Sequence, residues 1–378
     1  ALRRLVRRPP DYFLKRAAMR LYRRLLLTAT VLAFAVIALG AYVRLSDAGL
    51  GCPDWPGCYG HWLGVPDEMH EQLAAQQTYP ERPVHTAKAW KEMVHRYFAG
   101  TLGMLIFAIS VVAWREPLRS RQSPLLPTLL LGIVGLQAAL GMWTVTLLLK
   151  PVIVTLHLLG GMTTLALLVA MTIKEALPVP TGNTGPKLRR LAAIALFVVI
   201  GQIALGGWVS SNYAALACPD LPRCQQQWQP PMDFDQAFTL HRELGLTGDG
   251  RLLPNEALTA IHWSHRLGAL AVLCAIGALA LALIRFPSGD WRRWGWALLG
   301  LSGLQIALGI ANVLLSLPLE LAVLHNLGAA CLLSTTLALN IRLHKAKNPY
   351  RQSTYKGFAV AGGVDGTRTR DPRRDRPV

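Results

Sequence analysis

Four histidines recur at related positions in this chain: His95 in EMVHR, His157 in TLHLLGG, His265 in HWSHR and His325 in VLHNLG. Each stands in a long apolar run, where an imidazole is costly and is kept for ligation, proton transfer or an interhelical hydrogen bond. One such residue carries little weight, but four, two in each half of the chain and at similar depth, point to ligands. Two imidazoles facing each other from neighbouring helices suit a haem iron, which needs only axial ligands from the protein. Zinc or copper is the rival, yet a histidine pair leaves a tetrahedral zinc two ligands short. Gly100, Gly103, Gly160, Gly161, Gly268 and Gly328 lie near these histidines. They leave room for a flat macrocycle or serve ordinary close packing of helices. Arg96 and Arg266 each follow a histidine and are placed either to pair with propionates or to snorkel toward the interface.

The cysteines divide into two kinds. Cys52 with Cys58 and Cys218 with Cys224 form two C-x5-C loops with proline and aspartate between them. They admit a disulfide in each loop, a four-cysteine metal site across both, or free thiols. Cys274 and Cys331 sit in apolar runs and read as small buried hydrophobes. Glu92 stands three residues before His95, where the second half has His262 before His265. Spacing of i, i+3 puts both members of each motif on one helix face. A carboxylate beside a buried cofactor can carry protons or stabilise developing positive charge; its plainer role is an ion pair, for example with Lys88 at i−4. This divergence between matching sites suggests that one half is worked on while the other serves. Glu320 reads as a charge at a helix N-terminus.

The elements that must position these residues follow from composition. Of 378 residues, 52% are hydrophobic and 16% charged, with a mean hydropathy of +0.33. This excludes an ordinary soluble domain and predicts an all-α membrane protein. Uninterrupted apolar runs predict eight helices, roughly 25–43, 94–113, 125–148, 152–173, 190–209, 260–284, 294–316 and 319–341. The net charge of +18 resembles a nucleic-acid signature, but about 29 of the 39 Lys and Arg fall in the tails and in alternate short loops. They report orientation instead: both termini in the cytoplasm, the two long cysteine loops outside, and no nucleic-acid partner. The first apolar run is long enough to span, so a cleaved signal peptide is not expected.

The halves also repeat. ALGAYVRLSDAGLGCPDWPGC at 38–58 aligns without gaps on ALGGWVSSNYAALACPDLPRC at 204–224, and the histidine motifs follow at offsets of 168 to 170 residues. An even number of helices per half makes the repeats parallel, so two four-helix bundles related by a pseudo-twofold along the membrane normal are expected. The divisions are a basic tail 1–24, a first bundle 25–173, a linker 174–189, a second bundle 190–341 and a disordered basic tail 342–378.

Together YVRLSDAGLGCPDWPGCYGHW, EMVHR, TLHLLGG, the second cysteine pair, HWSHR and VLHNLG resemble the haem A synthase family over about 25–341. The resemblance implies an oxidoreductase that converts the C8 methyl group of haem O to a formyl group by successive hydroxylations and loss of water. It implies haem O held by His95 and His157, a haem b held by His265 and His325 that relays electrons, and Glu92 as the functional carboxylate. Cys52 and Cys58 match a pair with a part in electron transfer, and Cys218 and Cys224 a structural bridge. Partners implied are haem O, membrane lipid, a haem O synthase and an electron donor, in a bacterial cytoplasmic membrane; a homo-oligomer is compatible with the sequence. The competing readings are a di-haem b-type cytochrome for quinone-linked electron transfer and a transporter with a polar midplane site.

Overall fold

The computed structural model describes residues 10–115, 123–176, 185–285 and 289–346. In chain order the helices are α1 (Pro10–Leu45), α2 (Met69–Thr78), α3 (Thr86–Trp114), α4 (Leu125–Thr146), α5 (Pro151–Ala176), α6 (Pro186–Ser211), α7 (Phe234–Ala237), α8 (Asn255–Ile284), α9 (Gly289–Leu314) and α10 (Leu319–Lys345), with a 3-10 turn at Ala214–Leu216. Among the described residues there is no strand, only isolated bridges. Eight helices, all but α2 and α7, are long and apolar enough to cross a membrane. The protein is a multi-pass, all-helical membrane protein. In hydrocarbon a helix satisfies its backbone within one segment, which is why such runs adopt this form.

The apolar runs mark the spans, but the helices exceed them. At 1.5 Å per residue the shortest span, α4 with 22 residues, reaches about 33 Å, close to the thickness of a bilayer core. By contrast α3 starts at Thr86 and α8 at Asn255, eight and five residues before the apolar runs begin. The extra turns of α3 carry Glu92, whereas His262 lies just inside the apolar run of α8. Likewise α1 starts at Pro10, so much of the expected basic tail is helix continuous with the first span. The tail after 346 and the middle of the linker, residues 177–184, lie outside the described residues.

Helix ends follow local chemistry. Gly185 precedes Pro186 at the start of α6, where the missing proline N–H costs nothing. Glu320 occupies the first turn of α10, and Arg342, His344 and Lys345 its last, each sign complementing the helix dipole. The two tight turns between α4 and α5 and between α9 and α10 use the same device, two consecutive residues of positive φ: Leu148 and Leu149, then Ser316 and Leu317.

Packing closes two rings. α1 packs on α3, α3 on α4, α4 on α5 and α5 on α1; α6, α8, α9 and α10 do the same. Between the rings α1 meets α10, α5 meets α6, and α5 meets α10. Exchanging the halves leaves these neighbours unchanged. A continuous core runs through both rings, including Leu26, Ile106, Leu165, Ile276, Leu279 and Leu339. Polar ties supplement it: Thr30 with Thr172 at 2.9 Å, and the Asn340 amide donating to the Ala192 carbonyl at 2.9 Å. Such bonds and close packing hold helices together where lipid removes the hydrophobic drive. Cys331 is partly covered, but Cys274 is exposed on the outside of its helix, so it faces lipid rather than filling the core.

Candidate functional site

Each of the four histidines rests on a glycine of the preceding long helix. A Cβ built on Gly40 would lie 3.0 Å from Cε1 of His95, on Gly141 3.4 Å from His157, on Gly206 3.1 Å from His265, and on Gly309 3.2 Å from His325. Four helical hairpins therefore repeat one contact, α1 with α3, α4 with α5, α6 with α8, and α9 with α10. The absent side chain also opens the backbone one turn earlier. The Val36 carbonyl faces His95, that of Gln137 faces His157, and that of Gln305 faces His325. Nδ1 of these three rings makes no hydrogen bond of normal geometry.

The rings are brought together within each half. His157 is near enough to His95, and His325 to His265, for their charges to interact. Two have a carboxamide neighbour. Gln202 Nε2 lies 3.0 Å from Nδ1 of His265 and donates to its carbonyl at 2.9 Å. Gln305 Nε2 lies 3.3 Å from Nε2 of His325 and donates to that residue's carbonyl at 2.9 Å. The Gln137 amide lies against Gly160, one turn beyond His157. Gly160, Gly268 and Gly328 thus make room for Gln137, Gln202 and Gln305, rather than for a macrocycle directly. Gly100 and Gly161 do face open space. The glutamines and the cradle glycines are the residues sequence reasoning passed over. Their signal is a pentapeptide met four times: VIALG at 36–40, QAALG at 137–141, and QIALG at 202–206 and 305–309.

One turn before His95, Glu92 is buried, 5% exposed. Its carboxylate accepts from the Cys52 N–H at 3.1 Å and from Arg96 at 2.6 Å, so its ion-pair partner is Arg96 at i+4 and not Lys88. His262 stands in the same place: Nδ1 lies 3.3 Å from the Cys218 N–H and Nε2 3.3 Å from Nε of Arg266, and a neutral imidazole accepts one of the two. Arg96 also donates to the carbonyls of Asp54, Pro56 and Gly57, and Arg266 to those of Cys218 and Arg223. Both arginines clamp the cysteine loops rather than extending toward the interface. A guanidinium offers five donors in a rigid fork, which suits several converging carbonyls.

The loops carry disulfides, Cys52–Cys58 with Cα atoms 4.8 Å apart and Cys218–Cys224 with 4.6 Å, so a four-cysteine metal site does not form. The carboxylate of Asp54 accepts from the backbone of Tyr59 and Gly60, and that of Asp220 from Gln225 and Gln226 at 2.6 and 2.9 Å. For Asp220 partial desolvation opposes ionisation, but the backbone N–H donors outweigh it and hold its pKa below the ordinary value.

These residues fit a haem. Among the described residues no group of three or more His, Cys, Asp or Glu side chains could hold a metal ion. Two imidazoles per half, each seated against a glycine, instead match a group that brings its own equatorial donors. Comparison with known proteins agrees. The cytochrome oxidase assembly protein family matches residues 23–337. The haem A synthase of Shewanella oneidensis is 43% identical over 330 residues, 86% of this chain and 98% of that protein. Those of Methylobacterium radiotolerans and Caulobacter sp. strain K31 are each 29% identical, over 85% and 84% of this chain and 90% and 95% of theirs. With the histidine pairs, cysteine loops and eight spans accounted for, the chain belongs to the haem A synthase family.

Proposed function

We propose that this protein oxidises haem O to haem A, working on a haem O held by His95 and His157. A haem b held by His265 and His325 supplies an electron-carrying iron when bound. The observation that carries the reading is the pairing of histidines in both halves, each ring fixed by a glycine and only one pair accompanied by a carboxylate. Two hydroxylations of the C8 methyl group, each inserting one atom of dioxygen while two electrons and two protons reduce the other atom to water, would give a geminal diol, which loses water to leave the formyl group. The chain's own residues bind and orient. His95 and His157 fix the substrate against α3 and α5, and packing of α1, α3, α4 and α5 excludes water from it. Glu92, one turn above His95, holds a negative charge at its carboxylate, where it can take up or release a proton during methyl oxidation. Its bond to the Cys52 N–H ties that carboxylate to the Cys52–Cys58 disulfide, which we assign to electron entry, whereas Cys218–Cys224 staples the second loop.

The halves are related by a pseudo-twofold in a bacterial cytoplasmic membrane, with both termini cytoplasmic, as the concentration of basic residues in tails and alternate loops supports. The test compares wild type with Glu92→Gln in membranes supplied with haem O. Glutamine keeps an acceptor for the Cys52 N–H but removes the charge. The expected outcome is full haem content in both, formyl product from wild type, and at least a hundredfold loss in the variant, of the order seen when a general acid–base group is removed. Equal yields would remove Glu92 from the chemistry. Haem left unchanged by wild type would favour the di-haem cytochrome.

A further inference from the structure

The two cysteine loops match in sequence but seat differently on the long helix that follows. In the second half a side chain bridges loop and helix: the Gln225 amide donates to the Ala217 carbonyl at 3.0 Å and to the Thr259 hydroxyl of α8 at 2.9 Å. At the matching positions the first half has Tyr59, Gly51 and Ala89. The Tyr59 hydroxyl turns instead to the Pro83 carbonyl at 3.0 Å, Ala89 is fully buried, and the loop lies directly on the backbone of α3. A Cβ built on Gly51 would stand 2.6 Å from the Lys88 carbonyl carbon, 2.7 Å from its oxygen and 2.8 Å from the Ala89 nitrogen. Those atoms belong to a helix backbone and cannot turn aside. Gly51 has no left-handed φ, so glycine stands there for room and not for conformation. A fourth difference accompanies these three: α3 carries Glu92 where α8 carries His262.

We propose that Gly51 is the positioning residue of the Glu92 carboxylate, bringing the first cysteine loop into backbone contact with α3 so that the Cys52 N–H reaches it. The inference rests on the assignment of the oxidation chemistry to Glu92. Gly51 directly precedes Cys52, whose N–H donates to the carboxylate at 3.1 Å, and Lys88 stands one turn before Glu92 on the same helix. The contact at one point therefore sets the bond at the next. Carbon atoms in ordinary contact lie about 3.5–4.0 Å apart, so a methyl group on residue 51 moves loop and helix apart by roughly 1 Å and takes the Cys52 N–H out of hydrogen-bond range. Little in the loop can absorb this. Behind the contact the Gly51 N–H is bonded to the Ala48 carbonyl and the Ala48 N–H to that of Val43, each at 3.0 Å; ahead of it Cys52 is closed to Cys58. Arg96, the other donor to the carboxylate, also grips the Asp54 and Pro56 carbonyls, so a displaced loop draws the guanidinium away as well. In the second half Ala217 goes with a longer approach, 3.3 Å from the Cys218 nitrogen to His262, and with Gln225 filling the seam.

The test uses the full chain, purified with haem O supplied during expression, and reads haem content, formyl product and the infrared carboxyl band of Glu92, identified as the band lost in Glu92→Gln. Gly51→Ala is expected to keep both haems, to shift that band, and to lower product formation about 10–100-fold, as a displacement of roughly 1 Å does. An unmoved band, or product equal to wild type, would overturn the proposal; lost product with an unmoved band marks a merely structural role. A second variant keeps it testable should Gly51→Ala fail to fold. Gly51→Ala combined with Tyr59→Gln and Ala89→Thr copies the second-half seam, and is expected to fold with both haems, a shifted band and the same loss of product. Full product from that variant, or its failure to fold as well, would show that the glycine does not act through the carboxylate. Full product from Glu92→Gln would instead overturn the underlying assignment of Glu92, a result distinct from an unaffected Gly51→Ala.

Discussion

At the scale of single residues, the site depends on what four glycines lack. A Cβ at position 206 would stand 3.1 Å from Cε1 of His265, a separation that forces the ring to shift. Gly206→Val adds bulk beyond that Cβ, and overpacking of this kind costs about 1–3 kcal/mol. Under the proposed ligation the strain falls on His265, so haem b content measured by pyridine haemochrome should drop severalfold while the first-half haem stays. His265→Ala should abolish the haem b low-spin spectrum altogether. A full normal spectrum in that variant would mean the ligand is another residue. The histidines were legible because an imidazole in hydrocarbon stands out and the motifs repeat. The glycines and glutamines were not, because a small residue or an amide in an apolar helix has ordinary packing uses, and only the ring set against it reveals another. The loop clamps of Arg96 and Arg266 were hidden for a related reason: the backbone carbonyls that bind them come from loops about 40 residues away.

At the scale of elements, the cysteine loops are small, self-supporting units locked to the ends of α3 and α8. Each has a disulfide across six residues, an aspartate gathering two backbone N–H groups, and an arginine clamp. Closing a loop this short is worth about 2 kcal/mol through the unfolded chain, so the double variant Cys218→Ser, Cys224→Ser should lower thermal stability by about that amount. A pH dependence follows for Asp220. Its pKa is depressed in the folded loop, so its stabilisation is complete above the ordinary carboxylate range and is lost as pH falls through the lowered value. The amide resonances of Gln225 and Gln226 should therefore shift together at a pH below that range. Titration at the ordinary carboxylate value would contradict the bonding described. Sequence periodicity placed all eight spans but set the starts of α3 and α8 too late. Hydropathy reports where hydrocarbon ends, whereas a helix continues into water as long as its caps and loop contacts support it. The extra turns of α3 are the ones that carry Glu92.

At the scale of the whole molecule, residues 166 apart meet across the junction of the halves. Arg44 donates to the Ser210 carbonyl at 2.7 Å and Tyr213 to Asp47 at 3.1 Å, while the Arg44 guanidinium stacks 3.9 Å from the Tyr213 ring centroid. Equivalent positions that touch lie close to whatever axis relates the halves. Arg44→Ala should cost about 2 kcal/mol through the lost charge-assisted bond, read as a lower unfolding temperature with both haems still bound before unfolding. The repeat was the most legible feature of the sequence, since it survives as matching letters. The junction was not, because Arg44 and Ser210, or Asp47 and Tyr213, are positions where the repeats differ in side-chain chemistry, and complementarity between unlike residues leaves no trace in an alignment. The central claim, that one haem is altered while the other serves, is tested most directly by extracting and identifying the haems of the purified chain after expression with a haem O supply. Haem A or hydroxylated haem O alongside haem b is the predicted result. Haem b with unaltered haem O, in a preparation whose low-spin spectrum shows the His265 and His325 site filled, would contradict it.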